Sequence, residues 1–227
     1  MKECCDADVQ SYRNVRNAYL YENEIVVASD TPIYIDYVKN PSKIRVLYNG
    51  SVKKINFTDY CLTVAANEIN TLSSVNGRYA AAMAIKMFAM HYVNSAASGA
   101  NYDINSSVQV YREGVQISSG AQNAMNDIMN YFLLDYYGAN FKTFYRTHES
   151  DNSYCKQYGG ILAQAEGDAM GASGTSWKDI LKYYYTRVST VNYYNSKMNY
   201  GNLIITTQHT HDWGGSEVCS YCGAYAK

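Results

Sequence analysis

Three sets of side chains in this sequence have the types and spacing to do chemistry. The first centres on Glu68. Cys61, Val64 and Ala65 precede it by seven, four and three positions, so a helix through this run places a carboxylate on an apolar stripe. Desolvation on that stripe raises the carboxyl pKa, and the negative end of the helix dipole pushes the same way. A carboxylic acid still protonated near neutral pH is what glycosidic cleavage needs, because the leaving oxygen must receive a proton as its bond breaks. On spacing alone, a solvated residue at a helix end is the simpler account of Glu68.

The second is Lys86, the lone long-chain cation between Tyr79 and Val93 in an otherwise apolar run. A buried ammonium requires a partner. A lysine whose stem lies on the core and whose head reaches water satisfies the same pattern. An antiparallel helix pair would bring it within range of Glu68.

The third is the tail, where His209-Thr210-His211 is followed by Cys219-Ser220-Tyr221-Cys222. Two imidazoles and two thiolates complete a tetrahedral zinc site, and Gly214, Gly215 and Gly223 let a short chain bend around it. Four protein ligands leave no open position, so zinc here would be structural rather than catalytic. A disulfide between Cys219 and Cys222, or a tail without fixed structure, remains open on the sequence. Cys4, Cys5, Cys61 and Cys155 show no comparable spacing, and the redox compartment stays open.

The elements that must position these groups are legible in the patterning. Short apolar runs at Ile25–Val27, Ile33–Ile35 and Ile44–Leu47 predict strands; Asn49-Gly50 then predicts a hairpin turn into 52–57. Thr58 is a candidate cap for a helix to about Asn70, with Leu62, Ala65, Ala66 and Ile69 on one face. A second helix over 77–93 is apolar on all sides and belongs in the middle of a core. Further on come a strand at 108–111, a helix at 120–130, and strands at 131–134 and 141–145 joined by a turn at 135–138. Helices at 154–170 and 176–185 and terminal strands within 190–207 complete the chain. The class is α+β: helices packed with small antiparallel sheets, plus a short C-terminal zinc-binding-like tail.

Bulk composition narrows the function classes. A chain of 227 residues with 47% hydrophobic residues can bury a real core. A formal net charge of −1 gives no electrostatic footprint for nucleic acid. No run approaches the ~20 apolar residues of a membrane span, and Met1–Asp6 lacks the apolar centre of a signal peptide, so no transmembrane segment is expected. The 25 Tyr against 5 Phe and 2 Trp suit sites that stack on a sugar ring while staying wet, and suit a Tyr-rich core equally.

Several motifs, in this order, carry a resemblance. The run Ile55–Glu68 has an aromatic Tyr60 opening a helix that closes on Val64-x-x-x-Glu68. A long small-residue helix follows over 80–92. Then come Gln109-Val110-Tyr111, the segment 124–145, Lys156-Gln157-Tyr158-Gly159-Gly160 and Ser176–Tyr185. Over about residues 43–190 this resembles the SpoIID family of peptidoglycan lytic transglycosylases.

The resemblance implies a reaction and a set of sites. A single glutamate, here Glu68, protonates the glycosidic oxygen between N-acetylmuramic acid and N-acetylglucosamine. It then takes a proton from the muramoyl 6-hydroxyl as a 1,6-anhydro ring closes. Lys86 falls on the family's helix arginine, keeping its charge without its planar fork. Gln109, Tyr111, Tyr145, Arg146, His148, Gln157 and Tyr158 are the implied substrate contacts. Where many members hold zinc before the Gln-Val-Tyr motif, this chain has Asp103, Asn105, Ser106 and Ser107, so no metal is expected near Glu68 and none is expected for catalysis. The segment before Gln157 is short, which implies a clipped substrate groove.

The implied organisation is a 1–42 extension with short strands, a 43–207 catalytic domain, and a 208–227 tail carrying His209, His211, Cys219 and Cys222. The implied partners are peptidoglycan glycan strands and other cell-wall hydrolases, in an extracytoplasmic location. The alternative reading is a non-catalytic, glycan-binding or amidase-enhancer-like relative of the same fold.

Overall fold

The helix beginning at residue 75 is the axis on which everything else is hung. A computed structural model describes residues 33–34, 37–135, 138–148, 160–186 and 203–225. The expected strand at Ile25–Val27, the start of the helix expected from Tyr154, most of the 190–207 segment, and Gln157, Tyr158, Cys4, Cys5 and Cys155 lie outside the described residues.

Helix α1 spans Phe57–Glu68 and α2 spans Val75–Ser95. They are followed by α3 (Ser119–Ile128), α4 (Gln164–Ala172) and α5 (Trp177–Thr186). From Ala80 to Tyr92 every residue of α2 is buried, as its all-round apolar sequence requires. Helices α3, α4 and α5 pack on α2, and α1 packs on both α2 and α3. The closest approach is between α2 and α4. A Cβ on Gly77 would lie 2.5 Å from the Asp168 Cα, and one on Gly171 would lie 2.7 Å from the Gly77 nitrogen. Only glycine at both positions lets the two backbones touch.

The helix starts are capped by side chains. Asn56, not Thr58, caps α1, its Oδ1 accepting from the Thr58 amide at 2.9 Å; Ser74 and Ser118 cap α2 and α3 the same way.

Strands β3 (Lys43–Tyr48) and β4 (Ser51–Asn56) form the expected hairpin. Asn49 at φ 49° and Gly50 at φ 76° make its turn. The sheets are not all antiparallel, however. β5 (Ile104–Asn105) runs parallel to β3, and β8 (Phe144–Arg146) runs parallel to β9 (Ile161–Ala163). The turn after β6 (Tyr131–Leu134) does not return a partner strand to it. β7 (Ala139–Asn140) pairs with β1 (Ile33–Tyr34), and β6 pairs with β10 (Ile204–Thr207) instead.

No strand forms at 108–111. Asn105 captures this stretch, its carbonyl accepting from the Val108 amide at 2.9 Å and its side chain from the Ser107 amide at 3.0 Å, so the chain turns. The tail is paired with the segment before residue 43, since β11 (His209–Thr210) pairs with β2 (Tyr37–Val38). β1 and β2 thus pair with β7 and β11 respectively. Among the described residues no helix is long and apolar enough to cross a membrane.

Candidate functional site

Glu68 is the last residue of α1, half-buried where the helix meets the 106–118 loop. That loop is tied to the helix end on both sides of Glu68. Asn67 donates to the Arg112 carbonyl at 3.0 Å and Asn70 to the Gln116 carbonyl at 2.8 Å. At its other end the Arg45–Asp103 ion pair anchors it to β3, with Asp103 Oδ2 also accepting the Arg45 amide at 2.7 Å. The tethered loop hydrogen-bonds the Val110 amide to the carboxylate and carries the Arg112 charge within electrostatic reach of it.

The balance at Glu68 favours the acid. Burial raises its carboxyl pKa, and this outweighs the Val110 amide together with the charges of Arg146 and Arg112, which pull it down. The amide and two cations that oppose the shift are also what would steady the carboxylate once its proton had left.

Tyr145 flanks Glu68 from β8. Its phenol is held up by burial and by the Glu68 charge. Tyr185 and Thr143 fix β8, the first donating to the Phe144 carbonyl at 2.9 Å and the second to the Ala84 carbonyl of α2 at 2.8 Å.

Gln109 lies behind Tyr145. Its Nε2 donates to the Tyr145 hydroxyl and to the Ile85 carbonyl, and its Oε1 accepts from Tyr60, all at 3.0 Å. Tyr111 stacks on Tyr60 at 5.3 Å, meets Tyr48 edge-on at 5.2 Å, and donates to Glu113 Oε1. Both Gln109 and Tyr111 are buried, at 2% and 4% exposure. The polar atoms of both side chains are used inside the protein.

Lys86 is placed elsewhere than expected. Completely buried, it donates to the Met129 carbonyl at 2.9 Å and to that of Tyr131, with its ammonium 3.8 Å from the Phe132 ring centre. Desolvation pulls its pKa down to about 7. The helix face carrying Lys86 turns toward the junction of α3 and β6, so the amine ties those elements together and reaches neither Glu68 nor solvent.

Arg146 is exposed at the end of β8. His148 is exposed two residues on, its Nδ1 3.3 Å from Glu166 Oε1 on α4. Arg112 and Val110 were missed as site residues because nothing in a turn-rich stretch marks which amide or cation will face a carboxylate. Gln164 was missed as well. It is buried at the start of α4, beside the end of β8, and its Nε2 has no hydrogen-bond partner among the described residues.

A comparison with protein-family models finds no matching family, and a comparison with curated proteins finds no match. The SpoIID resemblance therefore rests on the sequence motifs alone.

The tail forms a second centre. The ligating atoms of His209, His211, Cys219 and Cys222 all lie within 4.8 Å of one another, so the four could hold a metal ion. Cys219 and Cys222 are free thiols, not a disulfide. The Cys222 Sγ to His211 Nδ1 distance is 3.5 Å. Zinc–sulfur and zinc–nitrogen bonds of about 2.3 and 2.0 Å at a tetrahedral angle demand roughly that separation.

His209 Nδ1 lies 2.7 Å from the Thr207 carbonyl, which can only accept, so the proton sits on Nδ1. This leaves Nε2, buried and without a hydrogen-bond partner among the described residues, as the ligand atom, in the usual outer-shell arrangement of a metal-bound histidine. For the Cys219 thiol, burial pushes the pKa up, yet backbone hydrogen bonds from Cys222, Tyr221 and Asp212 together with the Cys222 thiol bring the net shift down. Burial raises Cys222 to about 11.

Proposed function

We propose that the protein cleaves peptidoglycan glycan strands without water, with Glu68 as the single acid/base. The observation that carries this is the half-buried carboxyl at the end of α1, held toward its protonated form while an amide and two arginines stand ready for its anion. Glu68 gives its proton to the glycosidic oxygen as the bond from C1 of N-acetylmuramic acid breaks. The muramoyl 6-oxygen bonds to C1, and its proton passes to the Glu68 carboxylate, which returns the enzyme to its starting state. Tyr145 and Arg146 line the approach to the carboxyl, and Gln109 holds Tyr145 in place.

In the same reading the partners are glycan strands and other wall hydrolases, outside the cytoplasm, and the metal in the tail is zinc with a structural role. The donor set of two imidazoles and two thiols suits zinc. Bound there, it would tie the C-terminal strand of the chain to the 219–222 turn.

Incubation with peptidoglycan stripped of stem peptides, with the products read by mass spectrometry, tests the proposal. Fragments ending in 1,6-anhydro-muramic acid are expected from wild type and not from Glu68→Gln; reducing ends, or equal release by both, would overturn it. One observation favours the alternative of a glycan-binding domain without turnover, namely that Lys86 is buried away from Glu68. Retention of glycan by both proteins with no products from either would establish that reading.

A further inference from the structure

An open depression of about 590 Å³ lies where the N-terminal part of α2, the end of α3, the start of α5 and the end of β10 meet. Its size falls in the range of small-molecule sites. It shares no residue with the surroundings of Glu68.

Tyr79, Tyr131 and Trp177 form its floor. Each is half-buried and packed from behind on the core. Trp177 stands 5.5 Å from Tyr131 at 72° and 6.4 Å from Tyr79 at 40°, so the three rings make a stepped aromatic platform rather than a filled stack. Half-exposed Tyr and Trp rings around one hollow offer flat apolar faces with polar edges to a ligand.

The rim is polar. Asn126 and Asn130 present exposed primary amides at the end of α3. Asp127 takes the Tyr79 hydroxyl, and the Lys178 ammonium hovers 5.5 and 5.7 Å from the Trp177 and Tyr131 ring centres. One carboxylate and one ammonium balance, which disfavours phosphate chains and nucleic acid. Flat apolar rings below and amides at the edge match a neutral sugar: its C–H face lies on the rings while hydroxyl and acetamido groups meet amides that both donate and accept.

We propose that this groove is a separate saccharide-binding site for β-1,4-linked N-acetylglucosamine residues, holding a glycan strand at a distance from Glu68. The choice of sugar rests on the glycan-cleaving reading above, whereas the groove itself does not.

The chain has only two tryptophans, so in Trp213→Phe the emission reports Trp177 alone. Titration of the full-length Trp213→Phe protein with N-acetylglucosamine tetramer should give a saturable change in that emission, unaltered when Glu68→Gln is added. Asn126→Ala with Asn130→Ala changes only exposed groups and should weaken binding about tenfold or more, with circular dichroism and melting unchanged. Trp177→Ala should abolish binding, and the asparagine variants keep the test decisive should it unfold.

A silent Trp177, or an affinity indifferent to the asparagine pair, would overturn the site. Tetramer binding without anhydro products from wild type would leave this site standing and remove the cleavage reading. Products together with a silent Trp177 would do the reverse.

Discussion

Gln109 donates to the hydroxyl of Tyr145 at 3.0 Å, and through this bond a fully buried amide decides where the phenol beside Glu68 stands. Gln109→Leu removes that bond and also leaves the buried Tyr60 hydroxyl without its acceptor, while the Ile85 carbonyl keeps its helical bond. A stability loss of about 1–3 kcal/mol is expected from such unpaired groups. Tyr145→Phe keeps the ring and should cost less in urea denaturation, yet both variants should lower kcat on denuded glycan more than they raise KM. Wild-type turnover in a folded Gln109→Leu protein would show that the network does not position the site.

Glu68→Gln should lower turnover by ~10²-fold or more while glycan is still retained, because the amide keeps the shape and loses the proton. The pH profile has a definite sign. Burial raises the Glu68 pKa, so the active acid form persists above the ordinary carboxylate range and kcat should fall as pH rises through the raised value. The same shift makes native Glu68 bind more protons than the unfolded chain between the two values, so stability should decline with rising pH in that window and Glu68→Gln should lack the decline. A kcat that increases across the window would contradict the acid role.

Lys86 gives the opposite sign. Its folded pKa of about 7 lies below the ordinary 10.5, so between those values the unfolded chain binds more protons and stability rises with pH. Below about 7 the burial cost is present in full, and above the ordinary value it is gone. Comparing wild type with Lys86→Met by urea denaturation at about pH 7 and about pH 9.5, wild type should gain on the order of 3 kcal/mol relative to the variant. Parallel pH dependences would mean that the amine is solvated.

Protein purified without chelator should carry about one zinc per chain, and Cys222→Ser or His209→Ala should lose it. Since β11 pairs with β2, removing the metal should speed hydrogen exchange at 37–38 as well as in 209–222, while amides of α2 stay protected. Absence of zinc by elemental analysis would defeat this, and exchange confined to the tail would show that the pairing is independent of the metal.

Gly171→Ala places a methyl group against the Gly77 nitrogen and the Ser74 side chain at the α2–α4 crossing. Overpacking of this kind costs about 1–3 kcal/mol. A melting temperature lower by several degrees is expected, and an unchanged one would mean that the crossing relaxes freely.

What the sequence determined by itself was local. The Asn49-Gly50 hairpin, the extents of α1 and α2 to within a few residues, and the His209, His211, Cys219 and Cys222 set follow from turn chemistry, periodicity and ligand spacing, all of which act over a few residues. Glu68 could be singled out because its apolar neighbours precede it on the same helix. Only the tertiary structure decided which groups oppose one another across the chain. It turned Lys86 toward the Met129 and Tyr131 carbonyls, brought Val110 and Arg112 to Glu68, buried Gln109 and Tyr111, and closed β11 on β2. A helix that is apolar all round carries no pattern that says which neighbour each face will meet. A short strand such as 108–111 also loses to an asparagine that can satisfy the same amides through its own side chain and carbonyl. Those outcomes depend on packing between distant segments, where burial and hydrogen bonding outweigh local preference.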